Sequence, residues 1–147
     1  MKIINKKARF DYEILESFEV GIVLLGMEVK SVKSGRVNIS DAFVKIIGDE
    51  LWLVNADITK YQYASDDHYD SKRTRKLLIK RNQLDKLESK MKQGNLTLIP
   101  LSIYTVRGYV KVEIGLARGK KYHEKRKAEK ERDMDRDLLY ESRKFVV

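Results

Sequence analysis

The stretch Tyr109-Val-Lys-Val-Glu-Ile-Gly-Leu-Ala117 decides the fold class. Val110, Val112, Ile114 and Leu116 alternate with Lys111, Glu113 and Gly115, and a strand sends successive side chains to opposite faces. One apolar and one polar face is the mark of an antiparallel sheet with a single buried side. Just upstream, Leu96–Leu101 and Ile103–Val106 read as two more strands, the second joined to Tyr109–Ala117 by a turn at Arg107-Gly108. Ala42–Ile47 and Leu51–Val54 flank Gly48-Asp49, a strong hairpin signal, and Tyr12–Val20 alternates as a further strand. Ile22, Leu25, Val29 and Val32 recur at helical spacing and predict a helix ending near Ser34, with Gly35 as its cap. A second helix is expected after Asn82 as N-cap, with Leu84, Leu87 and Met91 on one face and Gly94 as terminator. Residues 60–75 read as a long polar loop. Strands of this number and length, with two flanking helices, predict a mainly β domain over residues 1–117. A closed antiparallel β-barrel is favoured, because closure removes exposed sheet edges.

Charge divides the chain at Arg118. Residues 1–117 carry 20 basic and 15 acidic side chains and residues 118–147 carry 11 and 7, so the body holds +5 and the much shorter tail +4. Arg118-Gly-Lys-Lys-Tyr-His-Glu-Lys-Arg-Lys127 opens that tail, and Arg118 to Asp137 contains no Val, Ile, Leu, Phe or Trp. So little apolar surface cannot offset ordering entropy, so the free tail is expected to be disordered or a marginal helix. Cations beside the rings of Tyr122 and His123 suit phosphates and unstacked bases, the chemistry of RNA contact.

Other classes recede. With no cysteine, disulfides, thiol nucleophiles and Cys-ligated metals are excluded. The first residues lack a signal-peptide core, and Ile22–Leu25 is too short to span a bilayer, so a cytoplasmic protein is expected. Asp66-Asp67-His68-Tyr69-Asp70 is the best catalytic candidate, yet its spacing fits no calcium loop and no second acidic cluster completes a two-metal site. It reads as a solvated loop. There is no Walker A loop or dinucleotide fingerprint, so neither cofactor, metal nor enzymatic activity is expected. Lys72-Arg-Thr-Arg-Lys-Leu-Leu-Ile-Lys-Arg81 sets six cations around an apolar triplet. Leu77, Leu78 and Ile79 are expected to anchor it while Arg73, Arg75 and Lys76 face phosphates. Lys6, Lys7 and Arg9, with Lys30, Lys33 and Arg36, offer further basic surface.

Asn5-Lys-Lys-Ala-Arg9, Phe18-Glu-Val-Gly21, Gly26-Met-Glu-Val-Lys-Ser-Val32, Asn38-Ile-Ser-Asp41, Arg73-Thr-Arg-Lys-Leu-Leu78 and Gly115-Leu-Ala-Arg-Gly-Lys-Lys121 follow one another, then the basic tail. In this order they resemble the SsrA-binding protein (small protein B, SmpB) family, the tmRNA partners of bacterial trans-translation. The resemblance implies an OB-fold-like barrel with flanking helices that binds the tRNA-like domain of tmRNA. It also implies delivery with elongation factor Tu and aminoacylated tmRNA to stalled ribosomes. The tail, residues 118–147, would become helical there and probe the empty decoding centre and mRNA channel of the small subunit.

For tmRNA binding the resemblance points to Asn5, Glu19 and Leu78, with Lys6, Lys7 and Arg9 on phosphates. For the decoding centre it points to Gly119, Lys120, Lys121, His123, Glu124, Lys125 and Arg126. Glu124 stands where the family usually has Asp, and Lys60 and Ser71 replace common prolines, which should loosen the 60–75 loop. A generic single-strand RNA-binding barrel is the competing reading, and would use Tyr61, Tyr63, Tyr104 and Tyr109 as exposed rings.

Overall fold

The computed structural model describes residues 2–65 and 67–119. Expectations placed on Asp66 and on Lys120 onward, including Lys120, Lys121, His123, Glu124, Lys125 and Arg126, lie outside the described residues.

In chain order the elements are β1 (Lys2–Ile4), α1 (Lys6–Asp11), β2 (Tyr12–Ile22), α2 (Gly26–Lys33), β3 (Val37–Asn38), β4 (Phe43–Ile47), β5 (Glu50–Val54), β6 (Asp57–Ile58), β7 (Arg75–Leu78), α3 (Arg81–Gly94), β8 (Thr97–Val106) and β9 (Tyr109–Gly119). Strands β8, β4, β5, β7, β2 and β9 pair in that sequence, and β9 pairs back onto β8. Six antiparallel strands therefore form a ring, with β1 added to β8 as a flank and β3–β6 as a separate two-stranded ribbon.

Local chemistry explains the turns. Gly48 and Asp49 both hold positive φ (55° and 65°), as do Arg107 and Gly108 (50° and 84°), which suits two-residue hairpin loops whose twist matches the flanking strands. Alternation on β9 sends Val110, Val112, Ile114 and Leu116 into the ring, where they meet Val20, Val44, Leu51, Leu53, Leu77, Leu98 and Ile103. Leu84 and Leu87 of α3 and Val32 of α2 join the same cluster.

Several boundaries differ from the sequence reading. Ile22 ends β2 opposite Leu77, and α2 starts only at Gly26; Leu25, at φ −71° and ψ 155°, is its extended N-cap residue. The helical spacing from Ile22 to Leu25 is a coincidence across a strand end. α3 starts at Arg81 with Lys80 as cap residue, so Asn82 lies inside the first turn, and Asn95 in the left-handed region closes the helix after Gly94. The two strands expected over 96–106 are one, β8, with a bulge between Pro100 and Ser102. It reads as a continuous apolar run because both faces are covered. Leu98 and Ile103 face the ring interior, whereas Ile99 and Leu101 form a second cluster with Ala8 of α1 and Ala117. Finally, β9 continues through Arg118 to Gly119, opposite Tyr12, two residues past the expected strand end. Among the described residues no helix is long and apolar enough to cross a membrane.

Candidate nucleic-acid interface

Leu78 faces outward although it sits in an apolar triplet. β7 alternates, so Arg75 and Leu77 point inward while Lys76 and Leu78 point out, and Leu78 is left 53% exposed. It lies opposite Gly21 of β2, where an added Cβ would come within 3.2 Å of the Leu78 Cβ. Glycine there lets the leucine lie against the backbone. Around it a shallow groove is lined by Glu19, Gly21, Lys80, Gln83 and Lys111.

Glu19 is exposed on β2, opposite Glu113. The Tyr104 hydroxyl donates to its carboxylate; burial first, then this hydrogen bond, pushes the Tyr104 phenol well above its ordinary value. The donation fixes the Glu19 carboxylate while leaving most of its lone pairs open to base N–H or ribose 2′-hydroxyl donors. Lys2 stands over the Tyr104 ring at 5.6 Å, and Tyr104 in turn lies opposite Lys111. The groove thus offers an apolar floor, one anionic acceptor and a cationic rim.

Asn5 corrects the picture of a free contact. It is 3% exposed: its Oδ1 accepts from the Ala8 N–H at 3.1 Å, and its Nδ2 donates to the carbonyls of Ile39 (3.1 Å) and Pro100 (2.9 Å). Asn5 caps α1 and pins it to the Ile39 loop and to strand β8, so its part is to place Lys6, Lys7 and Arg9, which are all exposed. Ile4, Ser102, Glu113 and Glu19 share one register row across four strands. The start of α1 therefore lies about 14 Å from Glu19 along the sheet, three strand spacings. Lys7 also pairs with Asp41 at 2.9 Å, which raises the lysine pKa and lowers that of the aspartate.

Arg75 is a second correction. It was expected to face phosphates, but it is fully buried, because position 75 falls on the inward phase of β7. Its guanidinium meets the Glu28 carboxylate at 2.6 Å and donates to the Ala56, Arg73 and Ser71 carbonyls and the Tyr69 hydroxyl at 2.8–3.0 Å. Glu28, 1% exposed, also receives Arg73, the Tyr69 hydroxyl and the Leu25 N–H. Burial alone would raise the Glu28 pKa, but donation from Arg73, Leu25 N–H and Arg75 outweighs it, and the carboxyl is held below its usual range. Tyr69 is pushed up to about 12, by burial and then by Glu28. This network fastens the 60–75 loop to α2. Arg73 is thereby turned toward Glu28, and Lys76 alone of the three cations stays outward, 3.3 Å from Glu50.

The sequence reading missed Lys80, Gln83 and Lys111 in the groove. Lys111 was legible as an outward position of β9; Lys80 and Gln83 needed the angle of α3. Gly119, the one decoding-centre candidate among the described residues, closes β9 against Tyr12. Tyr63 and Tyr109 are well exposed, while Tyr61 is partly covered, with Lys30 5.3 Å above its ring.

A family model described as SmpB protein matches residues 2–144. Among similar proteins, the SsrA-binding protein of Synechococcus elongatus is 50% identical over 135 residues, covering 91% of this chain and 88% of that one. The SsrA-binding protein of Mycobacterium leprae is 49% identical over 137 residues, 93% of this chain and 86% of the relative. A chain in the solved structure described as "tmRNA-SmpB: a journey to the center of the bacterial ribosome" is 47% identical with a TM-score of 0.68. It covers 82% of this chain and 85% of that chain.

Proposed function

The chain belongs to the SmpB protein family, and on that premise we propose that it is a tmRNA-binding factor of trans-translation that works by binding and not by catalysis. The observation that carries the reading is the Leu78–Glu19 groove: an exposed leucine beside an anchored carboxylate, inside a cationic rim. A bare cationic surface would hold any RNA, whereas an apolar floor and a fixed acceptor select a particular folded one.

In this reading the ring is of the oligonucleotide-binding type and takes the tRNA-like domain of tmRNA. Leu78 packs on a splayed nucleotide and Glu19 accepts from a base edge or 2′-hydroxyl. Lys6, Lys7, Arg9, Lys76, Lys80 and Lys111 meet phosphates. Residues 118–147 form a separate working part: with Gly119, Lys120, Lys121, His123, Glu124, Lys125 and Arg126 they enter the decoding centre and mRNA channel of a stalled ribosome. Elongation factor Tu delivers the aminoacylated tmRNA with the protein bound.

The test compares the full chain, Leu78→Ala and a chain ending at Gly119 in two assays: gel shift with a tRNA-like-domain transcript, and peptide tagging in stalled translation. Leu78→Ala should weaken the transcript about tenfold with an unchanged melting temperature, because the side chain is largely exposed. The shortened chain should keep transcript affinity and lose tagging. Equal affinity for bulk tRNA at moderate salt overturns the tmRNA reading, and loss of transcript binding on shortening overturns the division of labour.

A further inference from the structure

Trp52, the only tryptophan of the chain, is partly buried on the outer side of β5. Its neighbours in β5, Leu51 and Leu53, are buried in the ring, so alternation turns Trp52 outward, and it belongs to neither hydrophobic cluster. It stands opposite Lys45 of β4 on one side and Lys76 of β7 on the other. Lys45 also reaches over the Phe43 ring at 5.7 Å, and Phe43 is itself exposed on the same face of β4. An indole flanked across both strands by cations, with a second ring beside it, is an arrangement for a nucleobase with its phosphates.

The position matters as much as the composition. Lys76 and Leu78 are two residues apart on the outward face of β7, so Trp52 is the diagonal neighbour of Leu78, about 7 to 8 Å away. The Trp52 face therefore continues the groove instead of forming a separate patch. Glu50 stands beside it, two residues away on the same face of β5, and its exposed pair with Lys76 is of a kind that contributes little and exchanges readily for a phosphate.

We infer that the outer face of β4, β5 and β7 takes an unpaired nucleotide of the RNA held in the Leu78 groove, with the base stacked on Trp52 and flanking phosphates on Lys45 and Lys76. This rests on the RNA-binding reading above. The cations on both sides of the ring favour RNA over an apolar protein partner, which would leave both lysines desolvated and unpaired.

The sole tryptophan makes the inference directly readable. Titrating the full chain with the tRNA-like-domain transcript should quench Trp52 emission by at least half, at the midpoint found by gel shift. Trp52→Ala should weaken binding about tenfold, Trp52→Phe by no more than about threefold, and Lys45→Ala about threefold. The melting temperature of Trp52→Ala is measured alongside, and the quench together with Lys45→Ala decides the case where that variant melts early. Unchanged emission on saturating transcript overturns the inference and leaves the groove reading standing, as does wild-type affinity in both Trp52→Ala and Lys45→Ala. If no protein binds the transcript, the RNA-binding reading fails first and this one with it.

Discussion

Replacing Arg75 by Met separates a structural role from an RNA contact at a position where sequence favours contact. Methionine keeps much of the volume and the outline of the stem, so the change mainly removes the guanidinium. That takes the side-chain donor from the Ala56 and Arg73 carbonyls, leaves the Ser71 carbonyl with the Ile58 N–H, and takes from Glu28 its fully buried partner. Removing one member of a buried ion pair costs about 3–5 kcal/mol, mostly through the groups left stranded. For a chain of this size that corresponds to a fall in melting temperature of roughly 10–20 °C. The assay is thermal melting by circular dichroism, paired with transcript affinity at a temperature where the variant is still folded. The expected outcome is a large thermal loss with affinity per folded molecule within about threefold of wild type, since one phosphate contact is worth little at moderate salt. A variant that melts within about 2 °C of wild type but binds RNA much more weakly would show that Arg75 works at the surface, and the account of the network would be wrong.

Asn5→Ala should cost about 1–3 kcal/mol through the lost cap and two lost carbonyl partners, and should weaken RNA by loosening α1; urea unfolding and gel shift read the two effects. Tyr104→Phe should leave the melting temperature nearly unchanged yet reduce transcript affinity severalfold, because Glu19 loses the hydroxyl that holds it; an unaltered affinity would remove Tyr104 from the site. The pH dependence has two arms. Glu28 has a folded pKa below its unfolded value near 4.5, so its contribution is complete above about pH 4.5 and is lost as pH falls through the lower folded value. Tyr69 has a folded value raised from 10.0 to about 12, so its contribution is complete below pH 10 and declines from there to about pH 12. Stability by urea titration from pH 3 to 12 should therefore fall off at both ends, and Glu28→Gln should flatten the acid arm.

Residues whose environment is set by their own strand were legible. The alternation of β9, the Gly48-Asp49 and Arg107-Gly108 hairpins and the apolar face of α3 came straight from spacing, because a two-residue period or a left-handed turn is a local property. Residues whose role depends on a partner far along the chain were not. Nothing near Glu28 announces that Arg73 and Arg75, more than forty positions on, will converge on it. A run of six cations looks solvated throughout until the phase of a four-residue strand turns one of them inward. Leu78 shows the same effect with opposite sign: composition suggested an anchor, and the same phase exposes it. Trp52 escaped attention because an aromatic between two leucines reads as core until the register reveals lysines on either side.

The bulge in β8 has a consequence for the order of events during synthesis. On one side of Pro100 the strand pairs with β4, and on the other it accepts β1, while Asn5 is tied to the Pro100 and Leu101 carbonyls. β1 and α1 thus have no docking place until a strand nearly one hundred positions later has emerged. Contacts so distant in sequence form late, after the cost of closing a long loop has been met. A nascent chain halted before β8 would present Lys6, Lys7 and Arg9 without a frame to aim them. Only a finished body would then carry the assembled surface, and unfinished copies would not compete for its RNA.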